Sequence, residues 1–304
     1  MQEKINIHKP VLIDEIVSLI ELPNCNIFDG TLGGGGYTRA FLDTQANVFA
    51  CDLDNNAIIN FFYSRPVSQN IKIENNNFSN YISIFEDYYF DMIVLDLGYS
   101  SNQLESGSRG FSYQKVSEIF DLRYNVDIGQ PVYEKIRKLK SYQELGKVIY
   151  TFSGETFSMK IASVLFQFIK GSKSEIYVKD VVGCVDKSIP KQFIHKKNSI
   201  LSRVWQALRV WVNDEFTNLS FFLETSVLKL KTNGLLVIVS FNSLEDKIVT
   251  KFMRNISKKK VIDEFGNTTQ SYELISKHAV KPSKEEVDIN IRSRSAVMRV
   301  LKRL

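Results

Sequence analysis

A glycine run near the N-terminus carries the residue types that could bind a nucleotide-like ligand. A short apolar run ends at Asp29, the glycines Gly33–Gly36 follow, and a helix-compatible segment begins at Thr38. Glycine permits a tight turn and a close approach of a ligand to the main chain. A strand, a glycine turn and a helix N-terminus together form a nucleotide pocket. Asp52 lies about twenty residues further on, where a ribose-binding carboxylate is expected.

These residues alone do not separate NAD from S-adenosylmethionine, because both ligands present a ribose diol to a carboxylate such as Asp52. The two ligands differ in charge. A pyrophosphate favours the positive end of a helix dipole, whereas S-adenosylmethionine carries a positively charged sulfonium. The acid Asp29 beside the glycine turn suits a cation better than a diphosphate, and so it favours S-adenosylmethionine.

A second polar group follows the apolar run Phe90–Leu97, which has the composition of a central parallel strand. Ligands bind at the carboxyl ends of strands in an open parallel sheet. A carboxylate in such a strand is costly to bury without partners. We therefore interpret Asp96 as a candidate catalytic and cofactor-facing residue, with the Tyr99–Gln103 loop beside it. The alternative is that Asp96 caps the following turn.

Arg109, Phe111 and Tyr113 lie in the next loop, which is rich in polar and aromatic residues. Such a loop beside a cofactor suits a flat, polar substrate such as a nucleobase. We take these three residues as candidates for substrate binding, with Phe111 or Tyr113 as an aromatic wall for the base. The alternative is that the aromatic rings only attach a long loop to the core.

Three further candidates for substrate binding come from the second half of the chain. Arg209 and Asn213 are four residues apart and would share one face of a helix. Asn242 follows a predicted strand and would lie at the same ligand-binding edge as Asp96. The alternative for this segment is helix capping by Asn242 or Ser243, with Asp246 as the acid of a capping box.

Apolar runs bounded by turn signals predict the elements that position these residues. Strands are expected at 26–29, 48–52, 71–73 and 90–97. Helical patterns separate them, which predicts an α/β fold with a mostly parallel, doubly wound sheet. A final hairpin is expected from 272–275 and 295–301.

The next comparable strand, 234–241, begins about 135 residues after the fourth, whereas an ordinary crossover needs roughly a dozen. The intervening pattern is helical, which predicts an all-helical domain at 99–202 inserted into a discontinuous domain at 1–98 and 203–304. One long helix at 203–230 is expected to return the chain to the sheet.

The 304 residues are 44% hydrophobic and 24% charged, enough to build a normal core. No apolar run reaches the roughly 18 residues of a membrane helix, and there is no signal-peptide core. The three cysteines and three histidines are scattered, which argues against a zinc site and for a reducing, cytoplasmic compartment. The net charge of +5 is concentrated in basic clusters near aromatic residues, a pattern that fits RNA.

The ordered motifs of the chain resemble the MraW/RsmH family of small-subunit ribosomal RNA methyltransferases. The matching stretches are His8–Leu12, Asp29–Gly36, Asp52–Asp54, Asn77–Phe78, Leu95–Gly98, Ser100–Leu104, Arg109–Ser112, Gln206–Arg209, Val212–Asn213, Ser243–Asp246 and Arg292–Ala296. Together they run almost from one end of the chain to the other.

The resemblance implies a class I S-adenosylmethionine-dependent methyltransferase fold (Rossmann-like) with an inserted helical domain. It implies N4-methylation of one decoding-centre cytidine in 16S ribosomal RNA, with the small ribosomal subunit as the partner. No membrane partner is expected, and a homodimer is an assembly that the sequence leaves open. The cofactor contacts of the family carry over to Gly35, Gly36, Tyr37, Asp52, Phe78, Asp96 and Gln103.

The chain departs from the family pattern at three positions. Histidine is usual where Tyr37 and Asn242 stand, and a second methionine is usual at Tyr124. Because Asn242 removes a proton acceptor, no histidine base is assigned, and Tyr37 is expected to use its backbone. Two rival functions remain open. One is an NAD-dependent dehydrogenase, and the other is a non-catalytic RNA-binding assembly factor on the same fold.

Overall fold

The computed structural model of the chain divides into two compact units. One unit combines Met1–Ser101 with Phe216–Leu304, and the other is Asn102–Glu215. The structure describes residues 10–20, 23–64, 69–98, 103, 109–262, 268–275 and 278–304. The Tyr99–Asn102 part of the predicted acceptor loop lies outside these residues, as does the stretch His8–Lys9.

The strands are β1 (Asn26–Asp29), β2 (Asn47–Asp52), β3 (Ile71–Asn75), β4 (Phe90–Asp96), β5 (Leu230–Ser240), β6 (Lys260–Ile262), β7 (Thr268–Gln270), β8 (Tyr272–Leu274) and β9 (Val297–Arg303). The α-helices are α1 (Ile13–Val17), α2 (Gly36–Asp43), α3 (Asn55–Ser64), α4 (Phe78–Ser83), α5 (Val132–Lys138), α6 (Tyr142–Ser153), α7 (Ser158–Gly171), α8 (Val178–Ser188), α9 (Lys197–Val212), α10 (Glu215–Lys229), α11 (Ser243–Lys258) and α12 (Lys284–Ile289). Short 3₁₀ helices span Lys191–Lys196 and Ile291–Ser295.

The first unit is built on a seven-stranded sheet with the order β3-β2-β1-β4-β5-β9-β8. Strands β1 to β5 run parallel to one another, and β9 is antiparallel to both of its neighbours, β5 and β8. The five predicted strands and the final hairpin are therefore confirmed. The order reverses between β1 and β4, which is the place where an open sheet of this type binds its ligand. The classic dinucleotide sheet has a sixth strand in the position that the antiparallel β9 takes here.

Each central strand contributes side chains to two hydrophobic clusters, one on each face of the sheet. In β1, Ile27 packs into the cluster that contains Phe41 of α2, and Phe28 packs into the cluster that contains Phe222 of α10. Successive side chains of a strand point to opposite faces. This is why the central strands read as uninterrupted apolar runs. None of the helices in the described part of the chain is long and apolar enough to cross a membrane.

The second unit is helical, and α5 to α9 share one core. Trp205 of α9 is buried and donates from its indole N–H to the Gly110 carbonyl at 2.8 Å. The prediction of a single long helix at 203–230 is wrong. The chain instead forms α9 and α10, with a break at Asn213 and Asp214, where Asp214 has a φ of 50°. The predicted domain boundary after residue 202 falls within α9, whereas the compact units divide after Glu215.

Replacing Phe28 with alanine should destabilise the sheet unit by about 3–5 kcal/mol, because a fully buried aromatic ring would leave a cavity. The ring contacts Tyr81, Phe85, Phe90 and Phe222, with centroid distances of 5.7, 6.1, 5.5 and 6.0 Å. Urea unfolding followed by circular dichroism measures the change. The matched control is Phe221→Ala, because Phe221 is 51% exposed and its loss should cost no more than about 0.5 kcal/mol.

Candidate active site

The loop after β1 folds around a buried carboxylate. Asp29, the last residue of β1, is fully buried, and its Oδ2 accepts a hydrogen bond of 2.6 Å from the Thr38 hydroxyl. Its Oδ1 accepts from the Thr31 backbone N–H at 3.2 Å. Burial raises the pKa of Asp29, and the hydrogen bond from Thr38 opposes the shift. These bonds connect the end of the strand to the first turn of α2 across the glycine run.

Two of the glycines are required by close contacts. Gly35 has a φ of +74°, and a Cβ atom there would lie 2.3 Å from the ring of Phe61. A Cβ atom on Gly36 would lie 2.1 Å from Pro10. α2 begins at Gly36 without a side-chain cap. The first backbone N–H groups of a helix have no partner within the helix, so this end can serve polar ligand atoms.

Tyr37 lies in this first turn, but its side chain is turned into the core. The ring is buried and stacks on Phe41 at 6.2 Å. The hydroxyl donates to the Val11 carbonyl, and burial raises the pKa of Tyr37 well above its usual value. Any contact that Tyr37 makes with a ligand in the loop is therefore left to its backbone.

Asp52 ends β2 and is tied to the glycine turn. Its Oδ2 accepts from the Gly33 N–H and its Oδ1 accepts from the Asp54 N–H, both at 2.8 Å. Burial raises the pKa of Asp52 to about 6, and these two hydrogen bonds oppose the shift. A carboxylate has about four acceptor positions. Asp52 therefore has acceptor positions left for the ribose diol that the sequence predicts there.

Asp96 ends β4, and its N–H donates to the Thr31 hydroxyl at 2.7 Å. Its Oδ1 is buried and has no hydrogen-bond partner among the residues that the structure describes. Burial, followed by the nearby charges of Asp29 and Glu245, raises the pKa of Asp96 to about 8. A buried acceptor without a partner marks a place where a donor or a cation would be stabilised.

Glu245 is a residue of this site that the sequence analysis did not select. It is 3% exposed, and its Oε2 accepts from the Phe241 N–H at 3.3 Å. Asn242 caps α11, because its Oδ1 accepts from the N–H groups of Leu244 and Glu245 at 3.0 Å. Asp246 is not the capping acid that was expected, since it pairs with Arg299 at 2.5 Å. The capping-box spacing from Asn242 to Glu245 was the available signal.

Phe78 and Gln103 complete the expected cofactor contacts. Phe78 begins α4 and packs edge-on against Phe222 with a centroid distance of 5.2 Å. Its Cβ lies 3.0 Å from the place that a Cβ atom added to Gly30 would occupy. Phe78 therefore lies beside the start of the glycine loop. Gln103 is buried and belongs to the helical unit.

The structure brings together four of the five substrate candidates in the helical unit. The Arg109 guanidinium lies 5.2 Å from the Phe111 ring centre and donates to the Tyr124 carbonyl at 2.7 Å. Phe111 stacks on Tyr124 with a centroid distance of 5.6 Å. Asn213 accepts from the Tyr124 N–H at 2.9 Å. Tyr124 is thus the centre of this cluster, which the sequence analysis did not foresee.

Arg209 joins the same cluster through an ion pair. Its Nε and Nη2 donate to the two oxygens of Glu215 at 2.8 and 2.9 Å, and the Tyr124 hydroxyl donates to Glu215 at 3.2 Å. Tyr113 lies apart from this cluster and packs edge-on against Trp205 at 6.0 Å. Arg209 and Asn213 therefore attach the 109–124 loop to the break between α9 and α10.

The glycine turn and the acids of the sheet edge fit S-adenosylmethionine. Asp52 has acceptor capacity for the ribose. The buried, unpartnered oxygen of Asp96 and the neighbouring Asp29 and Glu245 form a negative surface that suits a sulfonium. A pyrophosphate would face those same charges at close range. Together with the sheet order, these residues define a class I S-adenosylmethionine-dependent methyltransferase fold.

The chain belongs to the MraW methylase family, whose model matches residues 6–304. It is 34% identical to a ribosomal RNA small subunit methyltransferase H from Clostridium botulinum (strain 657 / Type Ba4), with 98% of this chain and 99% of the relative aligned. It is 32% identical to the protein of that name from Ehrlichia chaffeensis, with 97% and 99% aligned. The solved SAM-dependent O-methyltransferase of Thermotoga maritima aligns over 99% of this chain and 68% of its own, with 8% identity and a TM-score of 0.42.

Replacing Asp96 with asparagine should stabilise the ligand-free protein above about pH 8 and change little below about pH 4. The folded protein holds a proton on Asp96 up to a pKa of about 8, whereas the unfolded chain releases it near 4. Stability due to this group is therefore present at low pH and lost as the pH rises. The gain should be a few kcal/mol. The pKa difference between the folded and unfolded chain corresponds to roughly 5 kcal/mol at most, and the partial exposure of Asp96 lets water screen part of its charge. Thermal unfolding of both proteins across this pH range measures it, and an equal gain at every pH would contradict it.

Replacing Asn213 with alanine should cost about 1–3 kcal/mol of unfolding free energy, because its partners would be left unsatisfied. The side chain also donates to the carbonyls of Leu122 and Arg209 at 2.8 and 2.9 Å. The control is Asn198→Ala, at an exposed position of α9. Denaturant unfolding distinguishes the two variants. Equal stability of both would show that the Asn213 contacts do not hold the loop.

Proposed function

We propose that the protein transfers a methyl group from S-adenosylmethionine to the N4 atom of a decoding-centre cytidine in 16S ribosomal RNA. The observation that carries the proposal is the Asp96 carboxylate, whose buried Oδ1 has no partner in the described part of the chain and stands beside the glycine turn. Relatives at 30–34% identity bear the name ribosomal RNA small subunit methyltransferase H, which supports the substrate class.

The sheet unit would hold the cofactor through its carboxyl edge. Asp52 would accept from the ribose, and Phe78 would supply an apolar surface. The N–H groups of Gly36 and Tyr37 line the turn beside Gly35, whose own N–H donates to the Leu32 carbonyl at 2.6 Å. Gln103 of the helical unit is included as a cofactor contact on the family resemblance. When bound, S-adenosylmethionine supplies a methyl group on a positively charged sulfur. The cytidine amine attacks the methyl carbon, and the sulfur leaves as a neutral thioether.

Asp96 would act on the cytidine amine. That nitrogen is a poor nucleophile because its lone pair is delocalised into the ring. A carboxylate that accepts a hydrogen bond from the amine aligns the nitrogen and favours the positive charge that develops on it. In the ligand-free protein Asp96 keeps its proton up to a pKa of about 8. The positive charge of the bound cofactor would favour the ionised form of Asp96, which could then take up the proton that the amine releases. Water is the other acceptor for that proton.

We assign recognition of the RNA to the helical unit. A base must leave its stack to be methylated at this position, and aromatic side chains stabilise a flipped base. Phe111 and Tyr113 are the aromatic candidates for this contact. The ring of Phe111 contacts the guanidinium of Arg109 and stacks on Tyr124, so its position in the loop is fixed. Arg209, Asn213 and Asn242 have the structural roles described above and would act by placing the loop and α11.

The test is transfer of labelled methyl from S-adenosylmethionine to small ribosomal subunits that lack this modification, followed by nucleoside analysis. Label in N4-methylcytidine is the expected result. Asp96→Asn should lower the rate constant by about a hundredfold or more. The matched control is Asp91→Asn, at the opposite end of β4, where Asp91 accepts from the Asn26 N–H and pairs with Lys231, both at 2.8 Å. This variant should retain transfer within a few-fold.

Four results would contradict the proposal. Label in another nucleoside would refute the cytidine N4 position. Undiminished transfer by Asp96→Asn would refute the role of that residue. Tight binding of S-adenosylmethionine and RNA without transfer would favour a non-catalytic assembly factor, and thermal stabilisation by NAD alone would favour a dehydrogenase.

A further inference from the structure

Helix α11 has two sharply different faces. Val249 and Met253 are buried, and Ile248, Phe252 and Ile256 pack against the same core. The opposite face carries Lys247, Lys251, Arg254 and Lys258, and all four side chains are exposed. Their spacing of four, three and four residues places them on one line along the helix. At 1.5 Å per residue this line, the basic stripe, is about 16 Å long.

Among the described residues, no acid pairs with the basic stripe. None of its four cations has an ion pair or hydrogen bond with another residue in the parts of the chain that the structure describes. The two acids of the helix are otherwise engaged, since Glu245 is buried at the site and Asp246 pairs with Arg299. Other surface lysines of the same unit do have such partners, as Lys229 pairs with Asp87 and Lys231 with Asp91, each at 2.8 Å.

Folding does not account for this arrangement. Like charges three and four residues apart destabilise a helix, and none of the four side chains contributes to the core. Lys258 stabilises the C-terminal end of α11, because its positive charge lies close to the negative end of the helix dipole. This stabilisation does not extend to Lys247, which lies near the opposite end of the helix. An external negative partner is the physical reason for a full line of cations.

We propose that the basic stripe binds the phosphate backbone of a strand of the RNA substrate next to the target cytidine. The stripe is linear, which suits a chain of phosphates better than a single anion. It is also continuous with the site. α11 starts directly after β5 at the carboxyl edge of the sheet, and its first turn supplies Glu245, the neighbour of Asp96. The inference rests on the proposed function, to which it adds a contact surface.

The test compares two triple variants with the same change in charge. One is Lys247→Gln, Lys251→Gln and Lys258→Gln. The other changes three exposed lysines that lie outside α11 in the same unit, as Lys72→Gln, Lys281→Gln and Lys284→Gln. Fluorescence anisotropy with labelled single-stranded oligouridine and with protein-free 16S RNA gives the affinity at several salt concentrations. A third variant with arginine at the three stripe positions retains the charge.

The stripe variant should bind RNA about tenfold or more weakly, and the slope of log affinity against log salt should fall by about 2, at roughly 0.7 per lost phosphate contact. The arginine variant and the control triple should retain both values. In methyl transfer the stripe variant should have a raised KM with an unchanged kcat, since the stripe acts on binding alone. Calorimetric binding of S-adenosylmethionine should not change.

Wild-type affinity and slope in the stripe variant would overturn the proposal, and so would an equal loss in the control triple. Loss of binding to vesicles of phosphatidylserine and phosphatidylcholine, with RNA binding intact, would assign the stripe to a lipid surface and also overturn it. Stripe-dependent RNA binding by a protein without methyl transfer would support the stripe and refute the proposed function, so the two failures can be distinguished.

Discussion

The buried carboxylate of Asp29 is the interaction on which the candidate site depends. It lies where β1 ends and accepts hydrogen bonds from both sides of the glycine loop, from Thr31 at the start and Thr38 beyond it. An unpaired charge at this depth would be strongly destabilising, and each donor reduces that cost. The path of the loop is thereby fixed, and with it the open end of α2. The Asp96 backbone N–H donates to the Thr31 hydroxyl, and the Gly33 N–H donates to Asp52, so one short segment connects three acids of the site.

Those acids destabilise one another in the ligand-free protein. Asp29 and Glu245 both raise the pKa of Asp96, and Asp29 adds to the rise at Asp52. Such a cluster of like charges lowers the stability of the ligand-free protein, and binding of a ligand that neutralises the charges explains why it is retained. A positively charged sulfur would do so, whereas a neutral thioether would not. The same charges that tune Asp96 for proton uptake would therefore also favour the substrate form of the cofactor over its product.

The helical unit solves a different problem, which is to hold a long loop in one conformation. Leu122 has a φ of 63° and is fully buried, and its backbone N–H donates to the Arg109 carbonyl at 2.9 Å. Asn213, Arg209 and Glu215 supply polar contacts from the break between α9 and α10. The bidentate Arg209–Glu215 pair has little exposure and restrains the end of α9. Residues that looked like substrate contacts thus shape the loop that would meet the substrate.

The strands, most of the helices and the glycine turn were predictable from the sequence because their signals are local. Alternating burial on two faces makes β1 and β4 apolar throughout, and a positive φ together with the contact from Phe61 restricts position 35 to glycine. The positions of Asp52 and Asp96 followed from the strand ends. The break at Asn213 was missed because it is stabilised by Leu122 and Tyr124, about ninety residues away in the chain, where local periodicity carries no information. The capping-box spacing pointed to Glu245, but its burial and its effect on the pKa of Asp96 depend on the tertiary structure. The sequence alone determined most of the residues that could do chemistry and the mostly parallel sheet that positions them. The tertiary structure decided their protonation and partners, because burial and long-range contacts set the energies of charged groups.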